Sequence, residues 1–333
     1  MQTDARWDWL EGARQALASC DPAAAQDFQN TARLVFGSEP FEQGSGLLNR
    51  NGAPVDFAFS TWSDAQRYTF EVSSQYLPPQ KRLCRTFELL QAFGSEAQRD
   101  PLLMELQKDI ALRWGAWLGF RVRNESSGEE DIRARAYKIY AEVGANKATK
   151  QMTERYLGAI CDLQREQLDP VLVGRPAGSD TALEIYCEMQ ERSPRVDKVC
   201  QLLSACLSAV QQQKLLELVS RFAFRVRPEP GRLPPAHYGV SYSLSRVREL
   251  ERMSLFVLAV DLAGTEAQIA QRALRAAEKM DCSLGNYRAF INAGVGATAG
   301  SAIHNMLSFT AGTTIEPGFQ VVLSPPAVLS SYV

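Results

Sequence analysis

The chain has 333 residues, 45% of them apolar and 22% charged, with 36 basic and 38 acidic side chains. That apolar fraction supplies a full core, and the near-zero charge balance lacks the basic footprint of a nucleic-acid binder. No apolar run approaches the ~18 residues that a membrane-spanning helix needs. Residues 1–10 carry Asp4, Asp8 and two tryptophans where a signal peptide would have an apolar core, which argues against export and for a cytoplasmic protein.

Seven scattered cysteines, never spaced C-x-x-C, point to free thiols in a reducing compartment rather than to disulfides or structural zinc. His237 and His304 are the only histidines, which all but excludes a histidine-rich metal cage. Neither a P-loop nor a G-x-S-x-G elbow occurs.

In chain order, helical periodicity covers 4–20 and Pro22–Phe36; Asp21 is placed to cap the second helix, with Pro22 at its first position. A hairpin follows, 55–62 with 67–73. Helices at 81–93 and 101–113 lead to a second hairpin, 117–123 with 134–143, joined by the polar loop 124–131. A helix at 147–168 precedes a third, 170–174 with 182–189, around a Pro-Ala-Gly-Ser-Asp turn. Helices at 196–207 and 211–220 precede a fourth, 222–227 with Tyr238–Leu244, across the proline-rich 228–235. Residues 246–263 and 265–280 read as helices, the first containing an apolar core stretch at 253–263, and a fifth hairpin pairs 306–310 with 319–325.

Five hairpins, each preceded by one or two helices, give a repeat of about 65 residues. No linker interrupts it, so one domain over 1–333 is expected. Ten antiparallel strands with helices outside can close into a barrel, which removes exposed edges and leaves a lumen wide enough for a ligand.

The second strands of the hairpins are unusual on one face. They offer Arg67, Thr69 and Glu71; Ala136, Lys138, Tyr140 and Glu142; Ala182, Glu184, Tyr186 and Glu188; and Tyr238, Val240, Tyr242 and Leu244. If those faces point inward, the lumen holds cations, carboxylates and tyrosines, and a buried cation calls for an anionic partner. The opposite assignment, with Tyr137, Ile139 and Ala141 inside, stays open, because helices would cover the outer face as well.

The run Asn51-Gly-Ala-Pro-Val-Asp-Phe-Ala-Phe-Ser-Thr-Trp62 followed by Arg67-Tyr-Thr-Phe-Glu71 resembles the opening of ABBA-type aromatic prenyltransferases, in particular the dimethylallyltryptophan synthase and cyanobactin prenyltransferase branches. There a Gly-Thr-Pro-x-Glu run enters the first strand and Arg-x-x-Phe-Glu opens the second. Lys138-Ile-Tyr140 and Glu184-Ile-Tyr186 resemble that family's successive Lys-x-Tyr motifs, the second with its lysine replaced. The closing hairpin ends in a similar Ser-Pro.

The resemblance implies an α+β fold, a ten-stranded antiparallel β-barrel of five hairpins with a solvated lumen inside a ring of helices. It implies transfer of a prenyl group from an allylic diphosphate, dimethylallyl diphosphate first among them, to an aromatic amino acid, a peptide or a small molecule. Carried over by position, Arg67, Lys138 and Tyr140 bind the diphosphate, Tyr186 and Tyr242 join a tyrosine shield, and Asp56 stands where the family has its proton-accepting Glu. Glu184, Tyr238 and Trp117 are candidates for the lumen or the acceptor pocket.

No D-D-x-x-D motif occurs, so no tightly bound cofactor and no resident metal are implied; Mg²⁺ accompanying the diphosphate stays open. Three departures stand out: Glu184 for lysine, Ala182 for arginine, and Phe319 and Val321 on a strand where the family often has a tyrosine. Arg121, Arg123, Arg225 and Arg227 are candidates to supply the missing charge. A carboxylate at 184 would also suit a cationic acceptor such as a guanidinium.

Two other classes compete, a non-catalytic binding barrel and an unrelated enzyme with fewer than ten strands. Other features read as bland. Gly294-Val-Gly-Ala-Thr-Ala-Gly300 has the wrong spacing for a dinucleotide loop and reads as a loop over the lumen. Glu129-Glu130-Asp131 reads as a solvated charge run, His237 as a rim residue and His304 as a loop or capping residue.

Overall fold

A computed structural model describes residues 8–37, 46, 48–49, 51–72, 77–95, 98–127, 130–161, 168–179, 182–245, 249–295 and 303–325. Ten strands form one closed antiparallel barrel in which each strand pairs with its sequence neighbours and β1 pairs with β10. The strands are β1 (Val55–Ser60), β2 (Ser63–Glu71), β3 (Ala116–Ser127), β4 (Glu130–Glu142), β5 (Leu168–Pro176), β6 (Leu183–Met189), β7 (Tyr238–Leu244), β8 (Leu250–Leu258), β9 (Ile303–Gly312) and β10 (Gly318–Ser324). Helices α1 (Asp8–Ala18) and α2 (Pro22–Phe36) precede the first hairpin, and α3 (Pro79–Ala92) and α4 (Pro101–Leu106) the second. Helix α5 (Lys147–Cys161) precedes the third, α6 (Val196–Leu203) and α7 (Ala209–Ser220) the fourth, and α8 (Glu266–Glu278) and α9 (Gly285–Val295) the fifth. The ten strands remove the reading of an unrelated, smaller barrel.

The expected alternation of hairpins and helices is present, with two corrections in its second half. The fourth hairpin is β7 with β8, so 246–263 is not helical: Leu250–Leu258 is a strand, followed by a 3₁₀ turn at Ala259–Asp261. Met253, Leu255 and Val257 are buried on one face while Arg252, Ser254 and Phe256 occupy the other, so the period is 2. Residues 222–227 are a connecting segment whose one ladder contact is a single bridge, Phe224 to Leu262. The alternation of Phe222, Phe224 and Val226 imitates a strand because Phe222 packs on Phe309 and Phe319 and Phe224 on Tyr238.

Helix α9 was not anticipated. Of the supposed loop at 294–300, Gly294 and Val295 end this helix, and 296–300 lie outside the described residues. The polar loop expected at 124–131 is instead mostly strand, since β3 runs to Ser127 and β4 begins at Glu130; Glu129 lies outside the described residues.

The helices determine which strand face looks outward. Helix α2 starts as expected: the Asp21 carboxylate accepts from Ala23 N and Ala24 N at 2.9 and 3.1 Å, with Pro22 in the first turn. It lays Phe28 against Phe57, Tyr68 and Phe70 at ring separations of 5.3, 5.4 and 5.6 Å. Phe290 of α9 covers Phe57 and Phe59 at 4.9 and 5.2 Å. These odd-numbered β1 residues and their apolar neighbours form the core between barrel and helices. The alternate residues therefore face the lumen.

No described helix is long and apolar enough to cross a membrane. Phe28 is fully buried among three aromatic neighbours, so Phe28→Ala should cost about 3–5 kcal/mol of stability in urea unfolding, and Phe28→Leu clearly less.

Candidate functional site in the barrel lumen

Following the register around the wall assigns the lumen residues level by level. One row runs Glu71, Trp117, Tyr140, Gly174, Glu184, Ser243, Arg252, Gly312. The adjacent row contains Asp56, Thr69, Gly119 and Lys138. Arg67 lies opposite Arg121, and Tyr186 opposite Ser241. In the first three hairpins the lumen is thus the polar, tyrosine-bearing face, and the alternative left open by the sequence, with Tyr137, Ile139 and Ala141 inside, does not hold.

The fourth hairpin does not follow that pattern. Tyr242 pairs with Ile185 and Met253, and Tyr238 with Val257, all on the outer face. Tyr242 is fully buried there, and Tyr238 lies against Phe224 beneath the connecting segment. Neither tyrosine lines the lumen; Gly239, Ser241 and Ser243 do. The error is a phase slip of one residue, which exchanges every side chain between faces. Phe319 and Val321 are also outward, so the lumen residue of β10 at that level is Gln320.

At the centre, Lys138 Nζ is ion-paired with Glu184 and donates to Tyr186 Oη at 3.2 Å. It also lies 4.8 Å from the Tyr140 ring centroid and 5.5 Å from that of Tyr186, within cation–π range. Ser241 Oγ donates to Glu184 Oε1 at 2.9 Å. Tyr140 meets Tyr186 edge-on at 6.1 Å, and Tyr186 meets Phe256 at 6.4 Å.

Two glycines create the space for this cluster. A Cβ on Gly174 would stand 2.5 Å from Lys138 Cε, and one on Gly119 would stand 2.8 Å from the Tyr140 ring. The strands on either side of β4 are therefore bare where its lysine and tyrosine lie across them. Burial alone would favour the neutral forms of this ion pair. The facing charges prevail, holding the Glu184 carboxyl down to about 2 and the Lys138 amine above its usual range. Burial also pushes the Tyr186 hydroxyl well above 10.

Arg67 Nη1 donates to Gln320 Oε1 at 3.0 Å, and Arg121 Nη2 to Ser63 Oγ at 3.3 Å. Both cations belong to the lumen. Arg225 and Arg227 do not, since they lie on the segment that joins α7 to β7; the Arg123 side chain lies outside the described residues. Arg252 was missed because its segment was read as helix, although the alternation Arg252, Ser254, Phe256 carries the signal.

Asp56 accepts hydrogen bonds from Thr69, and burial prevails over them, pushing its carboxyl up to about 7. Trp117 stacks on Trp114 at 3.8 Å, and its Nε1 is buried with no hydrogen-bond partner among the described residues. Two other acids of these strands serve the framework. Glu71 is buried against Arg82 at 2.8 Å, and Glu142 accepts from the N–H groups of Trp114 and Gly115 at 2.7 Å each.

The histidines lie elsewhere. His237 immediately precedes β7, held by Asp261 at 2.8 Å. His304 is not in a loop: it is buried in β9 between Glu266 and Tyr287, at 2.5 and 2.7 Å. No group of three or more His, Cys, Asp or Glu residues able to hold a metal occurs among the described residues.

Asp56 retains until about pH 7 a proton that an unfolded chain releases near pH 4. Its contribution to stability therefore falls as pH rises through that window. Urea unfolding from pH 4 to 8 should show this fall in the native protein and less of it in Asp56→Asn. Gly174→Ala should destabilise by about 1–3 kcal/mol through its collision with Lys138, whereas Gly158→Ala in α5, where a Cβ meets nothing within 4 Å, should stabilise by about 0.5–1 kcal/mol.

No family model matches the sequence, and no curated protein matches it in sequence. Solved structures match over almost the full length. The chain is similar to 5-dimethylallyltryptophan synthase from Streptomyces coelicolor, with TM-score 0.74 and 13% identity over 95% of this chain and 96% of that one. It is similar to 6-dimethylallyltryptophan synthase from Micromonospora olivasterospora, in complex with DMASPP and Trp, with TM-score 0.74 and 16% identity over 97% and 98%. It is similar also to the prenyltransferase PriB in its apo form, with TM-score 0.74 and 15% identity over 98% and 99%. Ten strands in hairpin order, closed by β1 on β10 and ringed by helices, give this chain the ABBA barrel fold of the dimethylallyltryptophan synthases.

Proposed function

We propose that the protein is a prenyltransferase that moves a dimethylallyl or longer group from an allylic diphosphate to an aromatic amino acid, a peptide or a small aromatic molecule. The observation that carries this reading is Lys138 set between the rings of Tyr140 and Tyr186 inside the lumen of this barrel. A cation for an anionic leaving group lies beside aromatic faces for an allylic cation. One similar structure is a complex with DMASPP and Trp, the two ligand classes this lumen would take.

In this reading Arg67 and Lys138 hold the diphosphate, with Tyr140 and Tyr186 donating to its oxygens. The allylic C–O bond breaks and its electrons leave with the diphosphate. The tyrosine faces stabilise the resulting cation by about 1–2 kcal/mol each. The acceptor carbon forms the new bond, and its proton passes to Asp56.

Tyr242 and Tyr238 have no part in this reading, because they face outward. Trp117 pairs with Tyr140, which supports giving it the flank of the acceptor ring in this reading. Glu184 already has Lys138 and Ser241 as partners, so an aromatic acceptor is preferred to a guanidinium. Any Mg²⁺ would enter with the diphosphate. Cys20, Cys84, Cys187, Cys200, Cys206 and Cys282 are free, which fits a cytoplasmic setting.

Incubation with dimethylallyl and geranyl diphosphates and a panel of amino acids, peptides and small aromatics, read by mass, tests the activity. Absence of any prenylated product together with no diphosphate affinity by calorimetry would favour a binding barrel that has lost the diphosphate site. Lys138→Ala and Arg67→Ala should each lower turnover at least 100-fold, the scale of one lost contact to a charged group, with thermal unfolding still cooperative. Asp56→Asn should lose transfer yet bind the diphosphate. As Asp56 accepts protons only when ionised, transfer should rise as pH increases through about 7; a flat profile across that range would remove its role as base.

A further inference from the structure

Among the described residues, Glu184 is the lumen acid held directly against Lys138, the lysine assigned above to the diphosphate. The pair is well built: Ser241 anchors the second carboxylate oxygen at 2.9 Å, and Gly174 leaves the lysine room to reach it. In this state the lysine's charge is already neutralised. A diphosphate cannot approach the same amine without meeting a carboxylate in its path, and two anions at contact distance repel.

A further cation lies along the same row. Arg252 is two strands from Glu184, with Ser243 between them, about 10 Å along the wall at the usual strand spacing. Its side chain is exposed, and it makes no hydrogen bond or ion pair among the described residues. It is near enough for its charge to act on both Glu184 and Lys138. A cation in a polar lumen, beside an ion pair that it does not join, is free to meet an incoming anion.

We propose that Glu184 is a resident anion which the donor diphosphate displaces from Lys138, and that Arg252 binds the outer phosphate of the incoming group. The inference rests on the donor reading above. It gives Glu184 a task after the chemistry: once the prenyl group has left, the carboxylate competes for Lys138 and drives inorganic pyrophosphate out. Glu184 then sets how firmly the enzyme holds donor and product, and Arg252 restores part of the hold that Glu184 removes.

The test is calorimetric titration of the full chain with inorganic pyrophosphate and with dimethylallyl thiolodiphosphate, each with and without Mg²⁺. Glu184→Gln should bind both ligands about ten-fold more tightly, with Glu184→Ala as a second variant and thermal midpoints as the folding control. Arg252→Gln should weaken both about ten-fold or more, and Arg252→Lys should recover part of the loss. Turnover by Glu184→Gln should become more sensitive to added pyrophosphate.

Unchanged binding in Arg252→Gln, or no gain in either Glu184 variant, overturns the proposal. Weaker binding by Glu184→Gln only when Mg²⁺ is present would make the carboxylate a metal bridge and would also overturn it. If the native chain binds both ligands and Lys138→Ala does not, while the 184 and 252 variants match the native chain, only this inference fails. If the native chain binds neither ligand, the donor reading fails and this inference with it.

Discussion

Most of the buried charge in the lumen wall faces a partner, because the wall is closed and its outer surface is covered by helices. Ionised groups away from bulk water must find partners nearby or lose their charge. Each acid of the wall answers this differently. Glu71 has Arg82, Glu142 has backbone N–H groups, Glu184 has Lys138, and Asp56 has only Thr69. Glu142 lacks a cation too but has several N–H donors; Asp56, with Thr69 alone among the described residues, is the one whose carboxyl is pushed up towards neutrality. The same constraint thus separates the carboxylates into framework, counter-ion and candidate base with no change of residue type.

The architecture was legible because hairpins and helices alternate with different periods, and because capping and turn residues mark the joints. Asp21 and Pro22 begin α2 as their chemistry dictates. In the first three hairpins Arg67, Lys138 and Glu184 marked one face as a candidate lumen, and the structure decides for it, since those groups would be costly against apolar helices. The fourth hairpin lacked such a marker. Tyr238 and Tyr242 are amphipathic and suit either face, while the true lumen residues of β7 are Gly239, Ser241 and Ser243, which are small and carry little signal.

The strand Leu250–Leu258 was misread for a related reason. Its outer residues Met253, Leu255 and Val257 alternate with Ser254 and Phe256, and with both strand faces covered the contrast between them is weak. Arg252 was lost with it. What the sequence could not reveal was pairing in space: that Glu184 meets Lys138, that Gly119 and Gly174 flank them, and that Arg252 stands two strands away. These facts depend on register, which no local pattern encodes. They also show why a shared barrel does not settle chemistry by itself: the charge around Lys138 is set by partners that lie far apart in the sequence.

The seam between β1 and β10 bears on how the molecule forms. Phe57 pairs with Leu323, 266 positions later in the chain, so the ring cannot shut until nearly all of the described sequence has been made. Until then β1 and β9 each present an unpaired edge, and such edges invite association with other chains. Contacts this distant in sequence also slow folding, because a large loop entropy is lost before the final pairing rewards it. During synthesis the nascent chain therefore passes through an open, curved sheet already jacketed by helices. Helix α2, which covers β1 and β2 through Phe28, is available from the start to shield one face of that sheet while its edge waits for the last strand.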